Sequence, residues 1–157
     1  MRIVRIAVAA LVMSGIALTA DGAPRGRDDR QDAARKMIRR TGAVILLAQK
    51  KVRENRVFTG DLAKAAAHQK LARRLFREGH YLRAMFHTKR ARALAVLAIR
   101  ANRGADPSDA DISADEAGAM GNAPADADLD LKLAADMPGE PVRDEDIVDT
   151  SLDAGEN

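Results

Sequence analysis

Residues 61–102 constrain the chain more than any other stretch. They read DLAKAAAHQKLARRLFREGHYLRAMFHTKRARALAVLAIRAN. Apolar and small residues recur at steps of three and four throughout, the period of an amphipathic helix. The run contains no proline, and its single glycine is Gly79. Two helices joined at Glu78-Gly79-His80 are the expected product, with Gly79 supplying the left-handed residue that ends the first. The second helix carries a stripe of Ala84, Thr88, Ala91, Ala95 and Ala98, flanked by Tyr81, Leu94 and Ile99. Small side chains in register let two helix backbones approach closely.

A third helix precedes the pair, from about residue 29 to 56. Ala34, Met37, Ile38, Thr41, Val44, Ile45, Ala48 and Val52 keep the helical step across Gly42. Leu46 and Leu47 break the stripe. At roughly 100° per residue they point away from it, so this helix is either covered on two sides or carries an exposed interaction or self-association face at Leu46 and Leu47. Asp28 or Asp29 is a candidate cap for the first helix, and Thr59 or Asp61 for the next. The expected fold class is all-α: a small antiparallel three-helix bundle over residues 31–103.

Leu71, Leu75, Gly79, Tyr81, Ala84 and Ala91 stand at the spacings of one tetratricopeptide (TPR) helix–turn–helix unit. The stretch resembles that family, and the resemblance implies a scaffold that holds a partner protein. His68, Ala72 and Val96 stand where the family has a large aromatic, a glycine and a proline. One unit is present, and no second follows it.

Charge divides the chain in a way the formal net of +3 hides. Residues 23–103 hold 22 Lys and Arg against 6 Asp and Glu, and residues 104–157 hold 2 against 16. The body is thus +16 and the C-terminal segment −14. Arg39, Arg40, Lys50, Lys51 and Arg53 on the first helix, Arg73, Arg74 and Arg77 on the second, and Lys89, Arg90 and Arg92 on the third form candidate anion-binding faces. Faces of one sign favour an anionic partner: a lipid headgroup, an acidic polymer or the chain's own tail. Aromatic content of 3% leaves few side chains to stack on nucleic-acid bases.

The first 22 residues have the layout of a secretory signal: Arg2 and Arg5, an uncharged apolar run over 6–18, then small residues. Thirteen apolar residues fall short of the about 20 that span a membrane. Cleavage fits after Ala20 or after Gly22, and residues 23–30 read as a linker. A periplasmic or secreted protein is expected. Beyond Gly104 the composition turns to Asp, Ala, Gly, Pro and Ser, which predicts a disordered acidic tail that masks the basic body. Two pieces stand out within it: a short amphipathic stretch over 125–137, and Ile147-Val148 with Leu152 as a docking anchor.

Little in the chain supports chemistry. There are no cysteines, no GxSxG and no phosphate-cradling glycine loop. Asp126, Asp128 and Asp130 fail the calcium-loop pattern, because Leu131 stands where glycine is needed and Met137 where the bidentate glutamate belongs. His68 lies level with about position 90 across the hairpin, so His68 and His87 are expected to approach each other. His80 lies roughly 15 Å away along the axis, so a three-histidine metal site gives way to a hydrogen-bonded interface histidine. The sequence therefore points to a non-enzymatic module with no cofactor and no small-molecule substrate. Its expected partner is a protein or a second copy, or alternatively an anionic polymer or membrane surface.

Overall fold

A computed structural model describes residues 26–141 and 143–152. The signal-like segment lies outside the described residues. Among the described residues five helices form: α1 (Arg27–Asn55), α2 (Asp61–Arg77), α3 (Tyr81–Ala101), α4 (Ala114–Met120) and α5 (Asp126–Asp136), with a 3-10 turn at Asp144–Asp146. The described residues contain no strand, and no helix among them is long and apolar enough to cross a membrane. Helix α1 starts at Arg27, inside the stretch expected to be a linker.

The three long helices pack on one another as their periodicity dictates. The α1 stripe is buried from Ala34 to Val52, and Ala84, Ala91, Ala95 and Ala98 of α3 are fully inaccessible. Thr88 sits in the same alanine stripe because its hydroxyl donates to the Ala84 carbonyl at 2.8 Å, so no polar atom is stranded. Gly79 adopts φ 80°. The following amide, His80 N, reaches back to the Leu75 carbonyl at 2.8 Å and Gly79 N to Phe76 at 3.0 Å, the paired bonds of a left-handed helix stop.

The C-terminal segment departs from expectation. Its described residues fold onto the body instead of remaining disordered. Ser113 and Glu116 form a reciprocal capping box that starts α4. Ala119 and Met120 then pack with Ala34, Met37 and Met85. In α5, Leu129 is buried, and Leu133 and Met137 pack against Leu71, Leu75 and Ala84. Ile147 and Val148 join the core formed by Val44, Ala48 and Val52. These apolar contacts are accompanied by ion pairs to the body, such as Asp126 and Asp130 with Arg90 and Glu116 with Arg92.

Candidate functional site

The interface between the basic body and the acidic segment gathers most of the chain's polar chemistry, and it is built around three carboxylates. Glu116, at the third position of α4, points inward and is 5% exposed. Its two oxygens accept from Arg92 Nη1 and Nη2 at 3.0 and 3.1 Å, from Arg40 Nη1 at 3.0 Å and from the Ser113 amide at 2.9 Å. Burial alone would raise this carboxyl's pKa, but the Arg92 and Ser113 bonds and the charges of Arg92 and Arg40 hold it below the ordinary glutamate value. Arg92 is 1% exposed. Its remaining N–H groups donate to Thr41 Oγ1 at 2.9 Å, the Asp111 carbonyl at 3.0 Å and the Met37 carbonyl at 3.4 Å, so all five donors have acceptors.

The second carboxylate is Asp130 on α5. It receives a two-pronged contact from Arg90, Nε at 2.9 Å and Nη2 at 2.7 Å, and a third bond from His68 Nε2 at 3.0 Å. These contacts, the Arg90 bond foremost, hold its pKa below the usual aspartate value. His68 Nδ1 lies 3.0 Å from His87 Nδ1. The carboxylate fixes the direction of this chain. His68 donates through Nε2, so its Nδ1 accepts, and His87 Nδ1 donates. Both rings are buried and stacked with centroids 5.2 Å apart. Burial pushes both pKa values down, that of His87 to about 4 with the neighbouring His68 adding to the effect.

Asp144 is the third. Gly60 is the N-cap residue of α2 with φ 82°, and it has no side chain with which to cap that helix. Asp144 supplies the cap from more than 80 residues away. Its Oδ2 accepts from Thr59 N and Gly60 N, and its Oδ1 from Ala63 N, each at 2.9 Å. The carboxylate thus fills the positive end of α2. Of the caps expected from sequence, Thr59 Oγ1 accepts from the Asp61 amide at 3.3 Å and donates to the Asp61 carboxylate at 2.8 Å. Gln49 secures the other side of this C-terminal strap, its Nε2 reaching the carbonyls of Ile147, Val148 and Thr150 at 3.0, 3.2 and 2.7 Å.

The cations singled out in the sequence fall into two sets. Arg40 meets Asp109 and Glu116, Arg90 meets Asp126 and Asp130, and Arg74 donates to the Asp136 carbonyl. Arg53 contacts Asp149 and the Val148 carbonyl, while Lys51 and Lys50 pair with Glu54 within α1. Arg92 is not on a solvated face at all; it is inside the protein. Arg39 and Arg77 are exposed and Lys89 is half-buried, none with an ion pair among the described residues. Arg73 is half-buried beside Gln69 at a groove between α1 and α2. Leu46 lines the same groove, and Leu47 packs on the core that includes Ile147 and Val148. Both leucines are half-buried, so the strap covers part of the face they form.

Sequence reasoning placed the His68–His87 approach but missed Glu116, Asp130, Asp144 and Gln49. The Ser113-x-x-Glu116 spacing was a legible helix start; the partners across the interface had no local signal. Among the described residues no group of three His, Asp or Glu side chains is arranged to hold a metal ion. No family model, curated protein or solved structure matches the chain.

Proposed function

We propose that the chain is an exported, non-enzymatic helical interaction module whose basic body is capped by its own acidic segment. One observation supports this reading above the others: carboxylates along the segment meet the body in order. Asp109 and Glu116 reach α1 and α3, Asp126 and Asp130 reach Arg90 on α3, and Asp136 reaches Arg83. Glu140 follows at Lys70, Asp144 at the α2 N-terminus and Asp149 at Arg53 and Arg56. Exposed pairs contribute only about 0–1 kcal/mol each, so the outer ones are individually displaceable. Tethering keeps the segment at a high local concentration, on the order of millimolar, so only a strong competitor opens the face beneath it. Leu46 and Leu47 supply the apolar part of that face.

A second reading, an anionic polymer or lipid headgroup binder, is favoured by Lys36 and Arg39. Both are exposed without an ion pair among the described residues, beside Arg35 and Arg40 in a shallow depression on α1.

Deleting the acidic segment would strip Glu116 from buried Arg92, so the test uses the full chain. Neutralising Asp126, Asp136 and Asp149 to Asn loosens the outer contacts. The interaction reading predicts capture of a protein partner that survives 0.5 M salt and is lost in Leu46→Glu. The anion reading predicts binding to anionic vesicles that rises in the neutralised variant, ignores Leu46 and collapses at 0.5 M salt, where screening acts within about 4–5 Å. Failure of both sinks the proposal that the capped face binds anything.

A further inference from the structure

The groove between α1 and α2 has a volume of about 380 Å³ and is closed on one side by the strap. That volume lies in the range of sites that take a small ligand or a few side chains, about 300–1,000 Å³. Its floor is apolar, with Ile45 and Leu46 from α1 facing Ala63, Ala66 and Ala67 from α2. Its rim is cationic, because α2 presents Lys70 and Arg77 at the edge, both exposed. Lys70 already holds Glu140, whereas Arg77 holds no carboxylate among the described residues. In the wall, Gln69 is 4% exposed; its Nε2 donates to the Ile38 carbonyl at 2.8 Å, and its Oε1 has no hydrogen-bond partner among the described residues.

The surface beside the groove shows what chemistry it accepts. The strap lays Ile147 and Val148 on α1, with Leu152 at the groove, and places Asp149 by Arg53 and Arg56 and Glu140 by Lys70. Apolar residues alternate there with carboxylates, and the groove continues the same interface. We propose that the groove docks an extended acidic–apolar peptide of a partner protein, with an apolar side chain over Leu46 and a neighbouring carboxylate held by Arg77 and Lys70. This rests on the interaction-module reading and names the class of its partner. Charge complementarity selects the acidic residues, and the alanine-lined floor admits a branched aliphatic side chain.

The probe is a fluorescein-labelled peptide, Glu-Asp-Leu-Val-Asp-Leu, titrated into the full chain and followed by fluorescence anisotropy. Saturable binding is expected, weakened about tenfold or more in Lys70→Gln/Arg77→Gln and in Leu46→Glu, and abolished when serine replaces the peptide's three apolar residues. The Lys70 and Arg77 changes are at exposed positions and leave the core intact, so they decide the matter even if Leu46→Glu unfolds. Lys36→Gln/Arg39→Gln, on the cationic patch of α1 outside the groove, should change affinity less than about twofold. Equal weakening by both cationic pairs would mean diffuse attraction and overturn the proposal. So would the absence of saturable binding, or leucine-dependent binding of anionic vesicles with none of the peptide. If Leu46-dependent partner capture persisted while the peptide failed, the interaction reading would stand and this assignment of the partner's chemistry would fall.

Discussion

Arg92 and Glu116 face each other inside the protein through two charge-assisted hydrogen bonds of 3.0 and 3.1 Å, joining α3 to a helix that sequence composition places in a solvated tail. A guanidinium 1% exposed is tolerated there because its donors are all occupied. Removing one partner is therefore worse than removing both. Glu116→Ala should cost about 3–5 kcal/mol, whereas Glu116→Leu with Arg92→Met should cost much less or nothing. Urea unfolding of the two variants measures the difference. A single variant within about 1 kcal/mol of wild type would mean that α4 does not bury this pair.

The histidine pair predicts the pH dependence. His87 titrates near 4 in the folded protein and near 6.5 when unfolded, and His68 is shifted in the same direction. Between those values the unfolded chain binds more protons, so stability rises with pH from about 4 to 6.5 and is lost as pH falls through that window. His87 alone contributes roughly 2–4 kcal/mol over the range, at about 1.4 kcal/mol per pH unit. Asp130 and Glu116, whose pKa values are lowered, add to the loss at still lower pH as they become protonated. Thermal melts at intervals from pH 4 to 8 should show the slope, and His87→Gln should flatten it. An unchanged slope would place the titration elsewhere.

Asp144 caps α2 from outside it, and Asp144→Ala should cost about 1–2 kcal/mol by freeing three backbone amides. Asp144→Asn, which keeps an acceptor, should cost less. Circular-dichroism melts of both variants distinguish a cap from a surface charge, for which the two substitutions would be equally silent.

Ala91 is fully buried in the alanine stripe of α3. Ala91→Leu should overpack the α3 stripe and cost about 1–3 kcal/mol, read as a lower urea midpoint. An unaffected midpoint would mean that the stripe has room to spare.

The three long helices were legible because their information is local. Period, the glycine stop at Gly79 and the alanine stripe all lie within a few residues of one another. The His68–His87 contact followed from hairpin register alone. The acidic segment was not legible, because its order comes from pairs such as Arg40 with Glu116 and Thr59 with Asp144, more than 75 positions apart. Composition counts its few large apolar residues but not the complementary charges that hold them in place. Arg92 illustrates the same limit. Nothing in its neighbours separates it from Lys89 and Arg90, yet only Arg92 faces the gap that Glu116 fills. The Ser113-x-x-Glu116 spacing, the amphipathic stretch over 125–137 where α5 forms, and the Ile147-Val148 pair were the signals that the segment has structure of its own.

The acidic segment is an integral part of the folded protein. Amide hydrogen exchange on the full chain at neutral pH and low salt measures this residue by residue. The amides of Leu129, Ile147 and Val148, hydrogen-bonded and on buried residues, should exchange at least about a hundredfold more slowly than in an unstructured peptide. Exchange at unstructured-peptide rates throughout residues 104–152, with protection confined to α1, α2 and α3, would contradict it.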